Sequence, residues 1–113
     1  MPREPVRRLL ELFGEEQACY TALLDVARRQ NSALRRSALR DLPRALRDKQ
    51  RLIDRLADVD TRLRPTKERW SRFAGRLDDD DRQLLDWALA TNQELLGELI
   101  AEERQGEALL AAA

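Results

Sequence analysis

Chemistry at a protein site is carried most often by histidine, an activated cysteine, clustered carboxylates or a glycine-rich phosphate loop. This chain has no histidine, which removes the commonest general base and the commonest metal ligand together. Its single cysteine, Cys19, has no imidazole to take its proton and falls off the main apolar stripe, so it reads as an inert thiol. Gly14, Gly75, Gly97 and Gly106 stand alone, and isolated glycines do not build a phosphate-cradling loop. Asp78-Asp79-Asp80-Asp81 is a dense carboxylate run. A calcium loop needs alternating ligands, a glycine and a distal Glu, and none of that spacing occurs here. An Asp at a helix start caps free N–H groups and complements the helix dipole, which explains the run without a metal. Paired Glu-x-x-His ligands for a di-iron bundle cannot form. The residues therefore predict no catalytic machinery, no metal and no cofactor: a binding protein, not an enzyme.

The elements that position these residues are helices. Among 113 residues there are 21 Leu and 15 Ala but only four Gly and four Pro, with 37% charged and 4% aromatic. That mixture is the signature of long helices and coiled coils. The β-branched aliphatics are few, Val6, Val26, Val59, Ile53 and Ile100, too few for a sheet. The length suits a single domain spanning residues 1–113. The fold class expected is all-α: an elongated, antiparallel three-helix bundle with coiled-coil-like packing.

The first helix is expected over about residues 5–36, with Pro5 in its first turn. Val6, Phe13, Tyr20, Ala27 and Leu34 recur every seven residues. Leu9/Leu10, Glu16/Gln17, Leu23/Leu24 and Gln30/Asn31 fill the second seam position, which predicts packing in coiled-coil fashion. Asp41 is placed to cap a second helix over about 42–75, with Pro43 in its first turn. Leu42, Leu46, Lys49, Ile53, Leu56, Val59 and Leu63 form its stripe. Pro65 removes a backbone bond and predicts a kink near residues 61–65, with Trp70, Phe73 and Leu77 continuing the same face.

The third helix is expected over about 79–108. Leu84, Leu85, Ala88, Leu89, Asn92, Leu95, Leu96, Leu99 and Ile100 cover roughly half of its circumference, a wider band than one seam needs. The outward part of that band, Leu89, Leu96 and Ile100, is therefore the expected partner surface, with Asn92 and Leu99 on the same stripe. Gln30, Asn31 and Asn92 fall on or near buried seams, where polar residues fix register. A role in receiving a partner's backbone is the other reading. The aromatics Phe13, Tyr20, Trp70, Phe73 and Trp87 read as core.

Charge is balanced overall, with 21 basic and 21 acidic residues, but it is unevenly spread. Residues 28–76 are strongly basic and residues 77–113 strongly acidic, which predicts the second helix lying beside the third with their fields partly cancelling. The lone cysteine fits a reducing compartment. No apolar run has the length of a signal or of a membrane span. Cytoplasmic location, no membrane insertion and no nucleic acid are the expectations.

Three stretches carry a resemblance: ARRQNSALRRSALRDLPRAL, DKQRLIDRLADVDTRLR and TNQELLGEL. Their most specific pieces are Asp41-Leu42, Lys49-Gln50-x-Leu52-Ile53 and Asn92-Gln93-x-Leu95-Leu96. Together they resemble the FlgN-type flagellar export chaperones over roughly residues 6–105. The resemblance implies a cytosolic chaperone that holds the terminal helix of flagellar hook-associated proteins. It would prevent premature assembly and deliver its client to the export gate. Family members continue past the third helix with a polar tail used in partner or gate contacts, whereas this sequence ends at Glu107-Ala108-Leu109-Leu110-Ala111-Ala112-Ala113.

Two other classes use the same residues differently. A homodimeric coiled-coil adaptor or scaffold would close the wide stripe of the third helix against a second copy. A nucleic-acid-binding bundle would use Arg44, Arg47, Arg51, Arg55 and Arg62.

Overall fold

The computed structural model describes residues 4–112. They form α1 (Glu4–Arg35), a short 3-10 turn (Leu39–Asp41), α2 (Leu42–Glu68), α3 (Trp70–Ala74) and α4 (Asp79–Ala112), with no strand among the described residues. The chain is all-helical, and its extents of 56 × 20 × 19 Å make it a rod.

The heptads of α1 are its packing seams. Val6, Leu9, Phe13, Glu16, Tyr20, Leu23 and Ala27, spaced alternately by three and four, are all buried. A second buried row, Leu12, Cys19, Val26 and Ala33, repeats every seven residues beside it. Two rows are needed because α1 is the central helix, with α2 on one flank and α4 on the other. Cys19 thus lies on a seam of its own rather than off the packing surface.

Contacts between helices fix their sense. Glu16 meets Lys67 and Arg29 meets Asp48, so rising numbers in α1 face falling numbers in α2. Glu16 also meets Asn92, and Asn31 meets Glu102, so α1 and α4 ascend together. Two apolar clusters result. One joins Val6, Leu9, Leu12 and Phe13 to Val59, Leu63 and Leu85. The other joins Tyr20, Leu23 and Ala27 to Leu99, with Leu52, Leu56 and Leu95 against it.

The connections differ from expectation in instructive ways. α1 closes with Ser37 in the left-handed region at φ 55°, while Ala38 N–H reaches the Ala33 carbonyl at 2.8 Å. This is a Schellman ending, usually built on glycine. Asp41 makes no side-chain cap. The 3-10 turn runs straight into α2, so Asp41 already has helical backbone angles (φ −82°, ψ −16°) where a capping residue takes extended ones, and Pro43, two residues on, has no N–H to donate. Asp78 does cap α4, accepting the Asp81 N–H at 2.8 Å.

Pro65 lies inside α2, and the helix is interrupted later, at Arg69 (φ −112°, ψ 25°). Helix two is therefore a 27-residue and a five-residue piece rather than one kinked helix reaching residue 75. The restart places Trp70 edge-on to Phe13, with ring centroids 6.2 Å apart, and beside Phe73 at 6.0 Å.

Candidate functional site: the groove between α2 and α4

α2 and α4 each pack against α1 but approach one another much less closely. A groove remains between them. Among the described residues one ion pair crosses it, with Lys49 Nζ 2.7 Å from Glu103 Oε2. Ile53 stands one turn from Lys49, and Ile100 one turn from Glu103. The two helices run in opposite senses, so both isoleucines lie on the same side of the bridge. Ile53 is 41% exposed, Ile100 43% and Leu96 36%. Leu46, on the other side of the bridge, is 54% exposed. A chain that leaves these side chains along one groove has an apolar surface available to a partner.

Further along, the groove passes over a recess lined by Tyr20, Asp60, Arg64, Lys67 and Glu68. A buried polar knot lies beneath it. The Glu16 carboxylate is 1% exposed and receives Lys67 Nζ at 2.8 Å and Asn92 Nδ2 at 2.9 Å. Asn92 Nδ2 donates a second bond to the Phe13 carbonyl at 2.9 Å. Oδ1 of Asp60 and Oδ1 of Asn92 are buried and accept no hydrogen bond from a described residue. Burial raises the pKa of Asp60, and Glu16 raises it further through a hydrogen bond and through its charge, while Lys67 and Arg64 oppose the rise. Burial also pushes up the Tyr20 hydroxyl and the Cys19 thiol, leaving the thiol less able to ionise and hence less reactive.

The five stripe residues of α4 are divided by the fold. Leu96 and Ile100 are exposed on the groove side. Leu89 is half-buried against the first apolar cluster. Asn92 and Leu99, 2% and 8% exposed, face α1, where Asn92 fixes the register of the two helices. The buried row of α4 is Leu85, Asn92, Leu99 and Gly106, spaced by seven. Gly106 permits a close approach to α1: a Cβ there would lie 2.7 Å from Asn31 Oδ1.

Sequence reasoning misplaced part of the α2 stripe. The row facing α1 runs through Ala45, Leu52, Leu56, Val59 and Leu63, and Leu46 and Ile53 fall outside it. The missing signal was that α2 serves one seam, so its adjacent leucine and isoleucine positions cannot both be core. Trp87 is also not core. It is 66% exposed, and Leu84 near it is 50% exposed. At 100° per residue both lie well round α4 from Leu96 and Ile100.

Charge follows expectation only locally. Lys49–Glu103 joins α2 to α4, and Arg28 lies 3.8 Å from Glu102. The arginines of α2 make no ion pair with α4 among the described residues. No helix among the described residues is long and apolar enough to cross a membrane. No group of three or more His, Cys, Asp or Glu among them could hold a metal ion. A scan of protein-family models, a search of curated proteins and a search of solved structures each find no match.

Proposed function

We propose that this chain is a cytosolic export chaperone of the FlgN type, an elongated antiparallel three-helix bundle with coiled-coil packing. Its client is the terminal helical segment of a flagellar hook-associated protein, held in the α2–α4 groove until it is passed to the export gate. The observation that carries the reading is the exposed pair Ile53 and Ile100, flanked by Leu96 and set one turn from the Lys49–Glu103 bridge. An amphipathic helix with anchors at i, i+3 or i+4, and i+7 would lay its apolar face along such a groove. The occupant's identity comes from the sequence resemblance around Lys49-Gln50-x-Leu52-Ile53 and Asn92-Gln93-x-Leu95-Leu96. Asn92 and Leu99 act from beneath, keeping α4 in register, while Leu89 borders the groove.

The test is the double substitution Leu96→Asp and Ile100→Asp. Calorimetry with a terminal segment of a hook-associated protein should show binding to the parent chain and none to the variant, with little change in melting temperature. Unchanged affinity in the folded variant rejects the site. A parent chain that sediments as a dimer, becomes monomeric with these substitutions and binds no client segment supports a homodimeric scaffold instead.

A further inference from the structure

A second concave site lies at the end of the rod where α1 turns into α2. Arg29, Arg36, Arg40, Arg44 and Arg47 gather around a cavity of about 550 Å3, with Asp41 as the single carboxylate in its wall. Arg29 is engaged by Asp25 at 3.2 Å and by Asp48 at 3.6 Å. Arg36 uses its Nε on the Ser32 carbonyl and hydroxyl. Arg36, Arg40, Arg44 and Arg47 have no carboxylate oxygen within 4.0 Å among the described residues.

Elsewhere local helical pairs satisfy some of the arginines: Arg7 with Glu4, Arg62 with Asp58 and Arg82 with Asp79. At the turn Arg44 and Arg47 instead stand one helical turn apart in α2, with Arg40 in the 3-10 turn before them and Arg36 across the connection. Like charges at that spacing repel.

We propose that this cavity binds a compact oligophosphate, a soluble ligand with two or three adjacent phosphate groups. A guanidinium presents a planar fork of donors that matches phosphate oxygens, and several such forks around one concavity suit several phosphates held close together. The volume falls within the range of small-molecule sites, but the lining is charged where such sites are mostly apolar. An extended nucleic acid fits less well. Its phosphates would need the basic surface to continue along α2, and there Asp54 and Asp58 alternate with Arg51, Arg55 and Arg62.

Calorimetry with sodium tripolyphosphate tests the site. The parent chain should bind it, and Arg40→Gln with Arg44→Gln should weaken binding by at least about tenfold, the scale of one or two lost charged hydrogen bonds. Arg51→Gln with Arg55→Gln removes the same charge from the same helix outside the cavity and should leave the affinity unchanged. All four side chains are exposed, so circular dichroism should show folded variants, and Arg44→Gln alone serves if the first pair does not fold. Absence of binding to the parent, or equal weakening by both pairs, overturns the proposal. So does binding of a short DNA duplex or of phosphatidylserine vesicles where tripolyphosphate fails to bind.

Discussion

Lys67 Nζ lies 2.8 Å from Oε2 of Glu16, a carboxylate at the junction of α1, α2 and α4 with 1% of its side chain exposed. The ammonium comes from the last turn of α2 on a side chain that is 36% exposed, so one partner is dry and the other is wetted. It also stands 6.0 Å from the centroid of the Phe13 ring. The pair pins the end of α2 to the middle of α1, beside the α2–α4 groove.

Removing the ammonium leaves the Glu16 carboxylate buried without this cation, though Asn92 still donates to it. Breaking a buried pair from one side costs about 3–5 kcal/mol. Because water reaches Lys67, Lys67→Met should lie near the lower end, about 3 kcal/mol. Adding Glu16→Leu should recover much of that loss by removing the orphaned charge. Urea unfolding of the single and double variants measures both. A single variant as stable as the parent would show that Glu16 is adequately solvated without Lys67.

Asp60 gives the pH dependence a sign. Its folded pKa is raised above the ordinary carboxylate range, first by burial and then by Glu16. A raised carboxyl contributes stability that is complete below the unfolded pKa and is lost as pH rises through the folded one. Asp60→Asn removes the ionisation. The variant should melt above the parent near about pH 7 and converge with it toward about pH 4. Melting curves across that window check the trend, and a variant melting below the parent at neutral pH contradicts it.

Two glycines on α4 should respond in opposite directions. A Cβ on Gly97 would meet nothing within 4 Å, so Gly97→Ala should gain the helix-propensity difference, about 0.8–1 kcal/mol. At Gly106 the new atom would sit 2.7 Å from Asn31 Oδ1. Asn31 cannot yield cheaply, because its Nδ2 is bonded to the carbonyl and the carboxylate of Glu102, both at 2.9 Å. Gly106→Ala should lose one hydrogen bond net of the propensity gain and destabilise by about 1 kcal/mol. Thermal melting of the two variants separates them, and a stabilised Gly106→Ala would mean that α4 slides on α1 more easily than this contact suggests.

The sequence by itself determined the helices, the rod and the seam of α1. Seven-residue spacing of Val6, Phe13, Tyr20 and Ala27 is a local property of the chain, since a helix must bring such positions to one face. Asp78 at the start of α4 was legible for the same reason: a cap is decided within one turn. Tertiary structure alone decided which helix is central, because that depends on how many neighbours each face meets. The wide stripe of α4 suggested the surplus lay there, yet α1 carries the two buried rows and α4 a single one. Hence Leu99 and Asn92 turned inward, Leu96 and Ile100 outward, and Ile53 joined them from α2. The polar knot of Glu16, Lys67, Asn92 and Asp60 was equally invisible. Its members are scattered over three helices, and only the packing register brings a buried carboxylate within reach of its cation.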